Sequence, residues 1–207
     1  MKKPNINLLA VIVAVPVIGM TIIAPALTII KNDLNISFEN TQLILTLYFT
    51  FLAFGQILSG PFSDKYGRKP ILLLGASIYS ISAFFASLSS SIEILLILRC
   101  FQGFGAAACL SVGRTILSDC YEIKEAAKEM SKMTAIMAVI PISCFIFGGF
   151  LAEFLGWRTN LLALGLISLI LIIAMSFLLN ETLIKKAKSI SFKNMFIVYK
   201  GLLQTPS

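Results

Sequence analysis

The sequence has no histidine and only ten acidic residues among 207, so side chains that usually bind metals or perform acid–base catalysis are scarce. Charged residues make up 13% of the chain, whereas soluble domains average about a quarter. Four cysteines lie in or beside apolar stretches without C-x-x-C spacing: Cys100, Cys109, Cys120 and Cys144. We therefore expect no metal site, no cofactor and no enzymatic activity, and four free thiols that pack as small apolar groups.

Long apolar stretches dominate instead, with 57% hydrophobic residues and a mean hydropathy of +0.91. Six windows are long enough to cross the hydrocarbon core as helices, which takes about 20 residues each. They are residues 8–30, 41–60, 70–90, 94–113, 133–152 and 159–179. The first window follows Lys2 and Lys3 but is too long for the apolar region of a signal peptide, so we interpret it as a retained span. The windows predict an all-α membrane protein with six transmembrane helices.

Lysine and arginine residues are distributed unevenly over the loops of this topology. Fourteen lie at the termini and in the loops after the second and fourth spans, whereas the other loops contain only Lys31 and Arg158. By the positive-inside rule, both termini are predicted to lie in the cytoplasm and the protein in the cell inner membrane. This interpretation treats the net charge of +7 as an orientation signal, so we expect contact with membrane lipid and none with nucleic acid.

A short pattern recurs in the two parts of the chain. The pattern G-x-x-x-acid-x-x-G occurs at residues 60–67 after the second span and again at residues 149–156 after the fifth, an offset of 89 residues. Arginine follows closely in both copies, as Arg68 and Arg158. Because the predicted topology gives the copies opposite orientations, they indicate two inverted three-helix units. A 3+3 inverted repeat of this kind is typical of one half of a secondary transporter.

The loop after the second span combines turn-forming and charged residues. Gly60 and Gly67 are the predicted turn residues, since glycine tolerates a positive φ angle, and Pro70 suits the first turn of the next helix. Asp64 and Arg68 would lie at the membrane face as a partly desolvated pair. We interpret the loop as a gate that locks one conformation and is released in another. The alternative is a plain turn whose basic residues only orient the protein.

Arg99 is the only charged residue inside a predicted span. A lone charge in hydrocarbon costs at least about 2.5 kcal/mol, so it usually faces a cavity or a partner. Gln102 lies one turn away on the same helix face. We expect this pair to take part in substrate binding or proton coupling. The alternative is that Arg99 snorkels to the outer surface, about 9 Å away along the helix.

These segments together resemble a known family. The loop resembles the signature G-x-x-x-D-x-x-G-R-K of the major facilitator superfamily. The stretch from Arg99 to Ala108, with its glycines and alanines, is similar to the drug:proton antiporter branch, and most similar to its bicyclomycin-resistance group. The resemblance extends from about Pro25 to Thr182 and covers the first half of a normal family member. It implies a secondary active transporter that exports drugs or other small amphipathic molecules by proton antiport.

The resemblance also implies roles for individual residues. It implies a cytoplasmic gate made of four charged residues: Asp64, Arg68, Arg114 and Asp119. Arg99 would act in proton coupling and substrate binding, beside Gln102. The family usually carries an aspartate where this chain has Thr21, and all ten acidic residues lie outside the six windows. This half therefore carries no obvious proton acceptor within the membrane.

Residues 1–182 are predicted to form the six-helix bundle, and residues 183–207 a basic amphipathic linker on the inner leaflet, truncated before a second bundle. The expected partners are membrane lipid, a small-molecule substrate, protons and a second six-helix half. Two alternatives remain open from the sequence. One is a non-transporting remnant or half-subunit that needs a partner, and the other is a facilitator that imports a metabolite or osmolyte.

Overall fold

The structure, a computed structural model, describes residues 4–183. These residues form seven helices and one 3₁₀ turn: α1 (Ile6–Thr21), the 3₁₀ turn Ala24–Ala26, α2 (Leu27–Asp33), α3 (Phe38–Tyr66), α4 (Arg68–Ser87), α5 (Ile92–Cys120), α6 (Ile123–Leu155) and α7 (Trp157–Leu178). Because α1, the turn and α2 form one segment, six helical segments are long and apolar enough to cross a membrane. The predicted all-α fold with six spans is confirmed. The amphipathic helix predicted for the C-terminal tail lies outside the described residues.

The first span is broken, whereas the sequence predicted one uninterrupted helix. Pro25 lies in the 3₁₀ turn between α1 and α2, where it cannot donate a backbone N–H to continue the α-helical pattern. The side-chain amide of Asn160 on α7 donates to the carbonyl of Ile22 at this break (2.8 Å) and to that of Gly148 on α6 (3.0 Å). The hydropathy window missed the break because proline and alanine fit an apolar stretch.

The helices are longer than the apolar windows. The second window was predicted to end at Gly60, but α3 continues to Tyr66, and α6 begins at Ile123, well before the predicted start at Met133. Gly60 therefore lies inside α3, and its assignment as a turn residue was wrong. The windows end where charged residues begin, whereas a helix can continue into the polar interface until a residue such as Gly67 stops it.

Close packing around α5 forms the centre of the bundle. A Cβ atom at Gly103 would overlap the backbone of Tyr48 on α3, and one at Gly105 would overlap the backbone of Gly75 and Tyr79 on α4. These glycines therefore let three helix backbones approach directly. α1 packs against α5 and α6, and α4 packs against α7.

Helix α6 is largely unburied within this bundle. Of its residues only Met133, Gly148 and Ala152 are buried, and large apolar side chains such as Phe147 and Phe150 point outward. In a membrane protein such a surface contacts lipid or another helical bundle. The described bundle thus exposes much more apolar surface than a soluble domain would.

The two turns between paired helices repeat the same geometry. Gly67 has φ 113° and ψ 155° between α3 and α4, and Gly156 has φ 85° and ψ 154° between α6 and α7. The helix ends on both sides of the turns are also 89 residues apart. The predicted inverted repeat is therefore visible in the backbone. We name the two ends of the bundle the Gly67 end and the Gly156 end.

Candidate functional site

The Gly67 end contains an ion-pair network centred on Arg68. Arg68 Nε lies 2.9 Å from a carboxylate oxygen of Asp119 at the end of α5, and Arg68 NH1 lies 2.5 Å from Asp64 in the last turn of α3. The same NH1 donates to the hydroxyl of Ser63 at 2.6 Å. Arg68 itself is only 7% exposed. The ends of α3 and α5 are therefore joined through one buried guanidinium.

Glu181 extends this network and was not identified from the sequence. Its carboxylate accepts four backbone N–H hydrogen bonds, from Arg68 (3.0 Å), Lys69 (3.2 Å), Thr182 (2.9 Å) and Leu183 (3.0 Å). It therefore caps the first turn of α4 from a segment that follows α7. Partial burial alone would raise the pKa of this carboxyl, but the four N–H groups stabilise the carboxylate and hold its pKa below the usual value.

Not every predicted gate residue joins this network. Arg114 is exposed on α5 and forms no ion pair with any residue in the range 4–183. Lys69, which the sequence had not singled out, donates to the backbone carbonyl of Ser176 near the end of α7 (2.8 Å). The structure thus brings Asp64, Arg68 and Asp119 together, leaves Arg114 apart, and ties α7 to the same turn.

A second network lies at the Gly156 end. Asp33 at the end of α2 accepts hydrogen bonds from the indole of Trp157 (3.0 Å) and from Arg158 (2.8 Å). Arg158 also donates to the carbonyl of Ser89, just after α4, at 3.1 Å, and its guanidinium stacks 4.3 Å above the Trp157 ring. The turn of the second repeat is thereby bonded to helix ends of the first repeat. The sequence suggested Arg158 through the repeat, but gave no signal for its partner Asp33.

Arg99 is completely enclosed by the bundle. Its guanidinium donates to the side-chain oxygen of Gln102 (2.6 Å) and to the backbone carbonyl of Gly19 on α1 (3.2 Å). It also lies 4.7 Å from the centre of the Tyr48 ring, whose hydroxyl donates to the carbonyl of Pro16. Arg99 has no solvent exposure. It therefore neither snorkels to the surface nor faces an open cavity in this conformation.

The surroundings of Arg99 are rich in donors and poor in acceptors. Arg99 Nε, Gln102 Nε2 and the Tyr79 hydroxyl are buried without a hydrogen-bond partner in the described part of the chain. Thr21, where the family resemblance led us to expect an aspartate, donates its hydroxyl to the carbonyl of Val17 within α1 (2.8 Å). The positive charge of Arg99 is thus stabilised by an aromatic ring and two neutral oxygens rather than by a carboxylate.

Residues 4–183 contain no cluster of three acidic, cysteine or histidine side chains close enough to hold a metal ion. The four cysteines are free thiols, and Cys109 is buried in the core.

Several named proteins are similar in sequence to this chain. The family model described as Major Facilitator Superfamily matches residues 9–202. A bicyclomycin resistance protein homolog of Haemophilus influenzae is 31% identical over 84% of this chain and 44% of its own length. A chloramphenicol resistance protein of Pseudomonas aeruginosa is 34% identical over 72% of this chain and 36% of its own. Multidrug resistance protein D of Escherichia coli is 29% identical over 76% of this chain and 41% of its own.

Solved structures share the fold. A bacterial homolog of the human lysosomal transporter Spinster, in an inward-facing and unoccupied conformation, superposes with a TM-score of 0.75 at 20% identity. The match covers 97% of this chain and 49% of the solved chain. The chain therefore spans about half the length of the relatives it matches, which agrees with a six-helix half.

The motif-based resemblance is confirmed by these matches. The relatives include proteins named for resistance to bicyclomycin, to chloramphenicol and to multiple drugs. The chain is a multi-pass membrane protein and a member of the Major Facilitator Superfamily.

Proposed function

We propose that the chain forms the N-terminal half of a secondary active transporter that exports small amphipathic compounds in exchange for protons. The names of its relatives support the export of antibiotics and other drugs. The observation that carries the proposal is the Arg68 network, in which one buried guanidinium joins the ends of α3 and α5 beside a glycine turn with a positive φ angle.

The Arg68 network is suited to act as a gate. Removing one partner of a fully buried ion pair typically costs about 3–5 kcal/mol. Here only the Arg68 guanidinium is buried, so the cost of breaking each pair is smaller but still favours this arrangement of helix ends. Separation of α3 from α5 would require that cost to be offset by substrate, a proton or new contacts elsewhere. Asp64 and Asp119 are partly exposed, with 53% and 26% of their side-chain surfaces accessible, so water and protons can reach them.

The membrane orientation belongs to the same proposal. The lysine and arginine distribution favours the Gly67 end and both termini in the cytoplasm, with the protein in the cell inner membrane. Single cysteines can be introduced into a variant without native cysteines as Ser90→Cys and Lys124→Cys. Both positions are exposed, with Ser90 at the Gly156 end and Lys124 at the Gly67 end. A membrane-impermeant thiol reagent added to intact cells should label the cysteine at position 90 and spare the one at 124. The reverse pattern would overturn the orientation.

A second six-helix half completes the proposed transporter. The acidic residues all lie outside the apolar windows, so the proposal assigns the membrane-embedded proton carrier to the second half. The transport test is co-expression of this chain with the C-terminal half of the Haemophilus relative in cells that lack their own drug exporters. The pair should raise resistance to bicyclomycin or chloramphenicol, and a protonophore should abolish the effect.

Control strains separate the alternatives. Either half alone should give no resistance, and the pair with Asp64→Asn should give less than the parent pair. If the assembled and membrane-inserted pair exports no compound, the export proposal fails and a non-transporting half is favoured. Uptake of a metabolite by the same pair, without efflux, would favour the importing facilitator.

A further inference from the structure

A cavity of about 490 Å³ lies at the Gly156 end between α2 and the start of α3. Volumes of about 300–1,000 Å³ are typical of sites for drug-sized ligands. Eight residues line it: Leu27, Thr28, Lys31, Phe38, Thr41, Gln42, Leu45 and Thr46. The cavity is separate from the Arg68 network and from the enclosed Arg99 cluster.

The lining divides into an apolar wall and a small set of polar groups. Leu27, Phe38 and Leu45 supply the apolar surface. The Thr41 hydroxyl already donates to the carbonyl of Ser37, the N-cap of α3, at 2.9 Å. The Thr46 hydroxyl donates to the carbonyl of Gln42 within α3 at 3.1 Å. These two threonines therefore offer no free donor to a ligand.

Three other polar side chains remain available. Thr28, Lys31 and Gln42 form no hydrogen bond or ion pair through their side chains with other residues of the range 4–183. The nearest acidic residue in sequence, Asp33, is bonded to Trp157 and Arg158. Residues two positions apart on a helix do not face each other, so Asp33 is not placed to neutralise Lys31.

Lys31 is the charged residue that lines this cavity. The Gly156 end carries two basic residues, Lys31 and Arg158, and four acidic ones, Asp33, Glu39, Glu93 and Glu153. Asp33 is paired with Arg158, and the other three carboxylates do not line the cavity. An unneutralised ammonium group beside a hydroxyl, an amide and an apolar wall favours a ligand with a negative head and a hydrophobic body.

We propose that this cavity binds amphipathic anions, such as carboxylates or sulfonates with an aromatic or aliphatic body, through Lys31, Gln42 and Thr28. This rests on the proposed transport function, in which the cavity would be a substrate site on the outer side. The enclosed, uncompensated charge of Arg99 acts in the same direction, since it disfavours a cation in the interior of this half. The site therefore selects anionic over cationic compounds.

The test measures ligand binding and does not need transport. The full chain is reconstituted in phosphatidylcholine nanodiscs and titrated with anilinonaphthalene sulfonate, and separately with N-phenylnaphthylamine, which has the same aromatic body without the sulfonate. We expect a saturable sulfonate site absent from empty nanodiscs. Lys31→Gln should weaken it about tenfold, the value of one charge-assisted hydrogen bond, and leave N-phenylnaphthylamine binding unchanged.

Lys128→Gln is the matched control, because it removes the same charge from an exposed residue of α6 at the Gly67 end. It should leave sulfonate binding unchanged, and Gln42→Leu should weaken it to a smaller extent than Lys31→Gln. Thermal unfolding checks that all three variants fold. The proposal would be overturned if Lys31→Gln and Lys128→Gln weakened sulfonate binding equally, or if the chain showed no saturable sulfonate site. If the chain binds the anion but the paired halves transport nothing, the binding site is supported and the transport function is rejected. If the paired halves transport drugs but the chain does not bind the anion, the transport function is supported and the binding site is rejected.

Discussion

Gly67 and Gly156 adopt nearly the same positive-φ conformation, although they lie 89 residues apart and at opposite ends of the bundle. Each ends one long helix and starts the next, and each is followed by residues that bond to helix ends of the other repeat. The inverted repeat therefore reproduces both a backbone turn and the kind of network that the turn supports.

Alanine substitution separates the roles of three of the four glycines in these two sequence patterns, Gly60, Gly67 and Gly156. Gly67→Ala should lower the free energy of unfolding most, by about 2 kcal/mol, because an L-residue is strained at this φ and its Cβ would meet the Glu181 carboxylate. Gly156→Ala should cost about 1 kcal/mol, since a Cβ there meets open space and only the backbone strain remains.

Gly60→Ala is the matched control, because Gly60 lies inside α3 with no atom within 4 Å of an added Cβ. It should be neutral or stabilising by up to about 1 kcal/mol. Thermal unfolding of the detergent-solubilised variants measures the order. If Gly60→Ala is as harmful as Gly67→Ala, the turn geometry is not the cause.

A double-mutant cycle tests the Arg68 network. Arg68→Gln and Asp119→Asn should be coupled by about 1–3 kcal/mol in the free energy of unfolding, because the two side chains share a hydrogen-bonded ion pair. Asp64→Asn and Arg114→Gln should be additive within about 0.5 kcal/mol, since Arg114 is outside the network. Strong coupling of Asp64 with Arg114 would instead support the four-residue gate that the sequence predicted.

Local contacts of this network could be predicted from the sequence, whereas long-range contacts could not. Asp64 and Arg68 were identifiable because they lie four residues apart around a glycine turn, and their contact is local. Glu181 was not identifiable, since it lies 113 residues after Arg68 and four helices, α4 to α7, separate it from the turn. Hydropathy likewise predicts the number of spans but not their breaks, because Pro25 and its neighbours are as apolar as an intact helix.

Arg99 shows the same limit in another form. Its position in an apolar span predicted a cavity or a partner, with Gln102 on the same helix face, and snorkelling to the outer surface was the alternative. The structure shows Gln102 as a partner, together with Gly19 and Tyr48 from two other helices, which the sequence did not indicate. Which helix faces pack together decides this, and the pattern of one helix does not contain that information.

Glu181 makes the stability of the turn depend on pH. Its folded-state pKa lies below the ordinary value of 4.5, so its contribution is complete above that value and is lost as the pH falls through the lower folded pKa. Glu181→Gln should cost about 0.5–1 kcal/mol near neutral pH, with the solvent exposure of the carboxylate keeping the effect small.

The measurement is the melting temperature of the parent and of Glu181→Gln between pH 7 and pH 3. The difference between them should be constant near neutrality and shrink at the acidic end. Glu153→Gln is the control, because Glu153 is exposed in the last turn of α6 without a described ion pair or hydrogen bond. A difference that grows on acidification would contradict the sign of the pKa shift.

Substitutions of Arg99 can test whether this residue has a function besides stabilising the fold. A buried charge without a carboxylate partner is costly to hold in the folded state. Replacing Arg99 by an apolar side chain of similar volume removes that cost but leaves the oxygens of Gln102 and Gly19 without a donor, at about 1–3 kcal/mol for each buried group. Because these two effects oppose each other, Arg99→Met should leave the melting temperature nearly unchanged. Arg99→Ala should lower the free energy of unfolding by about 2–5 kcal/mol, because it leaves a cavity in a fully buried position.

A transport measurement distinguishes a role of Arg99 in the transport cycle from a role in packing alone. When the chain is paired with a second half, Arg99→Met should abolish drug resistance while the protein remains folded and inserted. Phe101→Met, at an exposed position on the same helix, is the control and should alter neither property. If Arg99→Met unfolds the chain, the guanidinium is needed for packing with Gln102 and Tyr48. If it folds and still transports normally, Arg99 has no part in the transport cycle. Loss of transport at nearly unchanged stability is the expected outcome, because a functional role explains a buried cation that adds little to stability.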